Sequence, residues 1–187
     1  MKKCIFSMVL VAGLLLSLTG CGASQSSTST ATKAQNVANL TQAVLAITGT
    51  SSSNASVNKL LSSTSNILQT YQTVNSAINA FKVADGTVSN NGSALSAVSA
   101  LSQLTGLSSK LTSLTQQTAT ATTTGASLIK TLSAQAVSKS SNATKAVEDI
   151  NKVKTCVDAL TALGVQMPST VQNLNSKITA VKALTGL

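Results

Sequence analysis

The chain has 187 residues, of which 43% are apolar, 9% charged and 2% aromatic, so its polarity is supplied by Ser, Thr, Asn and Gln. That balance excludes a charge-rich disordered chain and gives enough length for one domain with a core of its own. The formal charge of +9 sets 13 Lys against Asp85, Glu148, Asp149 and Asp158; with no Arg and few aromatic rings nucleic acid is a poor partner, whereas anionic lipid headgroups or cell-wall polymers suit the surplus of Lys.

From the start of the chain, Met1-Lys2-Lys3 is a short positive segment, and Ile5 to Leu18 is an apolar run interrupted by Ser7, Gly13 and Ser17. The run has the length of an export-signal core and is short for a bilayer span. Leu18-Thr19-Gly20-Cys21 follows: an aliphatic residue, two small residues and a cysteine. This segment resembles the lipobox of bacterial lipoproteins. The resemblance implies that residues 1–20 are a signal peptide cleaved between Gly20 and Cys21, and that the Cys21 thiolate, a good nucleophile, carries a diacylglyceryl group. In many bacteria the freed amine is acylated as well, and two or three chains give lasting membrane attachment. Gly22 occupies the position where Gram-negative lipoproteins carry Asp as an inner-membrane retention mark. The same resemblance therefore points to the outer membrane, or to the outer face of the plasma membrane if the source is Gram-positive. Cys4 leaves with the signal and Cys21 takes the lipid, so Cys156 has no disulfide partner within the chain. A lone helical Cys in a chain without His reads as a small packed hydrophobe.

Gly22 to Thr32 (GASQSSTSTAT) has no apolar residue larger than Ala and reads as a flexible tether, giving segments 1–20, 21–32 and a body over 33–187. The first helix is expected at about 33–48, with Thr32 and Gln35 spaced as a capping box, Val37, Leu40, Val44 and Ile47 as its seam, and Gly49 to close it. A second is expected at about 55–85, where Val57, Leu60, Thr64, Ile67, Tyr71, Val74, Ile78 and Phe81 alternate steps of three and four. Leu61 and Leu68 widen that stripe beyond a coiled-coil seam, which indicates a multi-helix bundle. Tyr71 and Phe81, the aromatic residues of the mature chain, both lie on it and read as core.

After a turn over Gly86 to Gly92, Ser93 is expected to cap a third helix at about 93–117 through Leu95, Val98, Leu101, Leu104, Leu107, Leu111 and Leu114. Thr118 to Gly125 (TATATTTG) is β-branched and reads as a frayed end or turn. A fourth helix is expected at about 126–163 through Ile129, Leu132, Ala136, Ala143, Ala146, Ile150, Val153, Val157 and Leu160, with Lys139 or Ser140 standing where one apolar residue is missing. Gly164 and Pro168 would stop it. Ser169 and Gln172 repeat the capping-box spacing, and Val171, Leu174, Ile178 and Val181 define a fifth helix at about 169–185. The expected fold is all-α, an up-and-down antiparallel bundle of about five helices. No sustained repeat of solenoid length is found.

Catalytic chemistry finds little footing. Without His, the Ser-His-Asp and Cys-His arrangements and His-containing zinc sites are excluded, and no phosphate-binding Gly-rich loop is present. Glu148 and Asp149 are adjacent, hence point in different directions on a helix, and read as offsets to Lys145 and Lys152. Ser56 with Lys59, and Ser127 with Lys130, have the Ser-x-x-Lys spacing of penicillin-recognising enzymes, without the companion motifs. Murein-linked lipoproteins combine a lipobox with heptad helices but end in Lys, whereas this chain ends Leu184-Thr185-Gly186-Leu187. No catalytic, cofactor-binding or metal residue is therefore assigned, and the one site expected is lipid attachment at Cys21. The expected function is a non-catalytic structural or interaction role in the envelope, reached through the membrane by way of Cys21, with an envelope protein or anionic lipid as partner. The alternative is a module that takes lipid or another apolar ligand between its helices. Neither oligomeric state nor partner identity follows from the residues.

Overall fold

A computed structural model describes residues 28–137 and 142–186. The expected signal peptide, Cys21 and the start of the expected tether lie outside them. The body, Thr32–Leu187, forms one compact unit. Its described elements are helix α1 (Thr28–Thr48), helix α2 (Ala55–Ala80), strands β1 (Phe81–Ala84), β2 (Thr87–Asn90) and β3 (Ser93–Leu95), and the long helices α3 (Ala97–Val137) and α4 (Ala143–Thr185).

Helix α1 begins five residues before the expected position, and Val37, Thr41 and Val44 form its buried stripe. The linker that follows is held by its own side chains. Asn58 accepts from Ser52 N–H at 2.8 Å and donates to Ser52 C=O at 2.7 Å, while Asn54 caps α2 by accepting from the N–H groups of Ser56 and Val57.

Along α2 every position of the expected seam is buried, from Val57 to Ile78 and on to Phe81, and so are Leu61 and Leu68. The helix nevertheless ends at Ala80, not near 85. Phe81 takes extended backbone and opens a three-stranded antiparallel meander with Phe81 opposite Asn90, Val83 opposite Val88, and Val88 opposite Leu95. Both turns are two-residue loops, Asp85-Gly86 and Asn91-Gly92, in which all four residues have positive φ. Asp-Gly and Asn-Gly are the pairs that tolerate this geometry, and its twist matches that of the strands they join. Phe81 and Val88 on the inner face are buried, with Val83 and Leu95 packed beside them, so the sheet closes one end of the helical core.

Ser96, not Ser93, caps α3: its hydroxyl accepts from Ser99 N–H at 3.2 Å. Val98, expected in the seam, is 70% exposed, and the buried stripe instead runs through Ala100, Leu104, Leu111, Leu114, Thr118, Ala121, Gly125 and Leu132. The stretch expected to fray is thus helix interior. Thr122, Thr123 and Thr124 donate their hydroxyls to the carbonyls four residues back at 2.8, 3.0 and 2.9 Å, while Thr118, Ala121 and Gly125 keep the buried side narrow.

The break in the expected fourth helix falls inside it. Helix α3 stops at Val137 and α4 starts at Ala143, at the place where the apolar spacing misses a beat. Helix α4 then passes through Gly164 and Pro168 without stopping, which merges the expected fourth and fifth helices. Pro168 is exposed and Gly164, whose carbonyl it leaves without a helical donor, is partly so. Leu163, Met167, Thr170 and Leu174 meanwhile carry one buried stripe past it.

Contacts between Gly125 and Val157 and between Thr115 and Met167 pair α3 with α4 in opposite directions. Tyr71 with Thr170 and Asn79 with Asn173 align α2 with α4 in the same direction. The described body is a helical bundle with an up-down-up arrangement of α2, α3 and α4 and a small sheet where α2 hands over to α3.

Candidate functional site

Cys21, the lipid-attachment residue expected from the sequence, lies outside the described residues. The remaining candidates fall at four places in the bundle.

Ser56 and Lys59 share a groove of about 720 Å³ between α2 and α3. Ser63 and Asn66 continue the α2 wall, Gln116, Gln117 and Thr120 stand opposite, and Leu60, Ile67 and Ala121 make the floor. Both Ser56 and Lys59 are exposed, and a lysine recruited as a base depends on burial. Ser127 and Lys130 are likewise exposed, and the Ser127 carbonyl is taken by the Thr131 hydroxyl at 3.2 Å. The structure therefore brings neither Ser-x-x-Lys pair into an enclosed setting.

Cys156 is a free thiol with no exposed surface, packed in the core. Burial pushes it above its ordinary value, against a smaller opposite pull from the Thr64 hydroxyl beside it. Thr64 Oγ1 has no nitrogen or oxygen partner, so this thiol–hydroxyl contact is a polar spot inside an otherwise apolar layer. Its surroundings suppress the thiolate that nucleophilic chemistry requires.

Two turns further along α2, the Tyr71 hydroxyl and Thr170 Oγ1 share a buried hydrogen bond of 2.8 Å. Burial raises the phenol above its ordinary value while Thr170 opposes the shift. At the sheet end, Lys177 donates to the Phe81 carbonyl and Asn173 to Asn79 Oδ1 at 3.0 Å, which ties α4 to the point where α2 turns into β1. Periodicity places Tyr71 and Phe81 in the core, but the partners Thr170 and Lys177 lie roughly a hundred residues away in sequence and carry no local signal.

The fourth place is the end of the bundle opposite the sheet. Ser53 and Asn54 of the first linker, Leu132 and Gln135 of α3, Asn142 just before α4, and Lys145, Ala146 and Asp149 of α4 line a cavity of about 340 Å³. The linker wall is pinned from outside by Lys152, whose ammonium donates to the carbonyls of Thr50 at 3.2 Å and Ser51 at 3.5 Å. Lys152 was expected to offset the neighbouring acids; its hydrogen bonds go to the backbone of the linker.

Among the described residues no group of three or more Cys, Asp or Glu is placed to hold a metal ion, and no helix is long and apolar enough to cross a membrane. No family model, curated protein or solved structure matches the chain.

Proposed function

We propose that the chain is a lipid-anchored protein of the bacterial cell envelope, in the outer membrane of a Gram-negative source, with a non-catalytic structural or interaction role. The observation that carries the reading is the Leu18-Thr19-Gly20-Cys21 segment behind a basic start and an apolar run. Support from the body is its surface: the outer sides of α2 and α3 are long faces of Ser, Thr, Asn and Gln with Lys59, Lys110 and Lys130 as scattered charges, suited to contact with a partner and without clustered charge. The alternative of an apolar ligand entering between helices draws less support. At Gly125 a Cβ would stand 2.5 Å from Val157 Cγ2 and 3.4 Å from Leu60 Cδ2, so α3 meets α2 and α4 there without room for a guest.

Two measurements test the reading. Labelled palmitate should enter the wild-type protein and not the Cys21→Ser form, and that form should leave the membrane fraction. Cross-linking in intact envelopes should then capture a reproducible partner through residues introduced on the outer faces of α2 or α3. A Cys21→Ser protein that still sediments with membranes would refute the anchor, and cross-linking no different from a scrambled control would refute the interaction role.

A further inference from the structure

We propose that Asn91 is a site of spontaneous covalent modification, its side-chain amide closing on the Gly92 nitrogen to a cyclic imide that water opens to aspartate and isoaspartate. Of the asparagines in the sequence, Asn91 alone is followed by glycine. The pair forms the two-residue loop between β2 and β3, and both residues are exposed. Among the described residues no hydrogen bond holds the Asn91 side chain or the Gly92 N–H; the Asn91 N–H is engaged, on the Ala80 carbonyl at 3.3 Å. Nothing lies within 4 Å of the place a Cβ would take at Gly92, so neither a side chain of its own nor a neighbour obstructs the attacking nitrogen.

The chemistry balances with water alone. The Gly92 nitrogen bonds to Asn91 Cγ, the Cγ–Nδ2 bond breaks, and Nδ2 leaves as ammonia with the proton that the Gly92 amide gives up. Water then opens the imide on one of two sides. Breaking the bond from the Gly92 nitrogen to Cγ leaves aspartate; breaking its bond to the Asn91 main-chain carbonyl carbon leaves isoaspartate. Closure swings the Asn91 ψ away from its hairpin value, so the loop opens first, and a loop leading into a three-residue edge strand is among the least costly parts of a fold to open. Asn75 and Asn175, each followed by serine, lie inside α2 and α4, where the next amide is spent in the helical ladder.

The two products differ in what they do to the fold. Asp85-Gly86 forms a loop of the same kind, with positive φ at both residues, so aspartate at position 91 fits the turn and adds a negative charge. Isoaspartate carries the main chain through Cβ, which lengthens the loop by one atom and sets Ser93 out of register with Asn90. Leu95, which that register holds opposite Val88, then loses its packing at the sheet end of the core. None of this depends on how the chain is anchored.

The test is incubation of the full mature protein, in detergent where it carries lipid, at mildly alkaline pH, followed by peptide mass spectrometry with electron-transfer fragmentation to separate the two products. Asn91 should gain the mass difference between amide and acid, with isoaspartate in the mixture, while Asn75 and Asn175 stay intact. Gly92→Ala should slow conversion by about tenfold or more, in the denatured chain as well, which covers the case in which the variant fails to fold. The isoaspartate fraction should melt below Asn91→Asp, which carries the same charge. Asn91 left intact in the folded protein while the denatured chain converts fully, or Asn75 and Asn175 converting as fast as Asn91, would overturn the proposal. Equal melting of the isoaspartate fraction and Asn91→Asp would overturn its consequence for the sheet.

Discussion

At the scale of single residues, the most informative position is Gly125. Alanine is the better helix former by about 1 kcal/mol, yet here its methyl group would overlap Val157 Cγ2, and valine has little freedom to move aside. The steric term exceeds the propensity term, so Gly125→Ala is expected to destabilise by about 1 to 3 kcal/mol in urea unfolding. Gly106 lies in the same helix with nothing within 4 Å of an added Cβ, and Gly106→Ala is expected to stabilise by roughly 0.5 to 1 kcal/mol. Equal effects at the two sites would contradict the close helix crossing. A Gly ending a run of threonines reads as a stop signal in the sequence because the Val157 that requires it is thirty-two residues away.

Titration supplies a second prediction at this scale. Cys156 and Tyr71 both have raised values in the folded state, starting from 9.0 and 10.0. Their contribution is fully present below those ordinary values and is lost as pH rises through the folded ones, where the unfolded chain releases its protons first. Lys177 works in the opposite sense: burial lowers it from 10.5, so below that value stability gains as pH rises through the folded value. Two buried groups outweigh one half-buried one. Melting temperature should therefore hold from about pH 7 to about pH 9 and decline beyond, and Tyr71→Phe should lessen the decline. A melting temperature that rose through this alkaline range would reverse the assigned signs.

Among the elements, α4 poses the clearest question. Pro168 in a helix interior costs about 3 kcal/mol relative to alanine, and the element survives because Met167 and Thr170 on either side are buried. Pro168→Ala restores an amide that can reach the Gly164 carbonyl, and is expected to raise stability by up to about 3 kcal/mol without loss of helicity at 222 nm. If Pro168 instead marked a boundary between two helices, the substitution would leave stability nearly unchanged. The sequence is persuasive about the boundary because Gly164, Pro168, Ser169 and Gln172 satisfy every local stop-and-start rule. What those residues do not reveal is that the stripe from Leu163 to Leu174 packs on both sides of the proline, and burial over a whole turn outweighs one lost hydrogen bond.

The small sheet teaches the converse. Asp85-Gly86 and Asn91-Gly92 flank Thr87 and Val88, a pattern that specifies two hairpins by local chemistry alone. The three-and-four spacing of α2 runs on into Phe81 and masks it, since Phe81 is buried in either reading. Gly92→Val is expected to cost about 1 to 2 kcal/mol, because a branched side chain at a φ of 81° meets the left-handed penalty. Chemical denaturation of that variant checks it; no loss would remove the tight turn.

For the whole molecule, stability should reside where α2 contributes its stripe. Leu60→Ala and Ile67→Ala are each expected to cost about 2 to 5 kcal/mol, and unfolding curves with no shift for either would displace the core from α2. That core is the part of the fold most readable in advance, because burial along α2 follows a local period. The candidate site was far less readable. Its neighbours in sequence make Asp149 an offset to nearby lysines, whereas in the fold it is buried and lines a cavity together with Ser53 of the linker and Leu132 of α3. The proposed lipid address, by contrast, rests on four consecutive residues, Leu18 to Cys21, and needs no tertiary context.

The threonines of α3 have one more consequence. Thr105, Thr112, Thr122, Thr123, Thr124 and Thr131 all hand their hydroxyl protons to carbonyls of the preceding turn. What such a side chain shows the solvent is a methyl group and oxygen lone pairs, with its hydrogen turned inward. At these six positions the surface consequently takes hydrogen bonds more readily than it gives them, and it does so with no ionic character for dissolved salt to dampen.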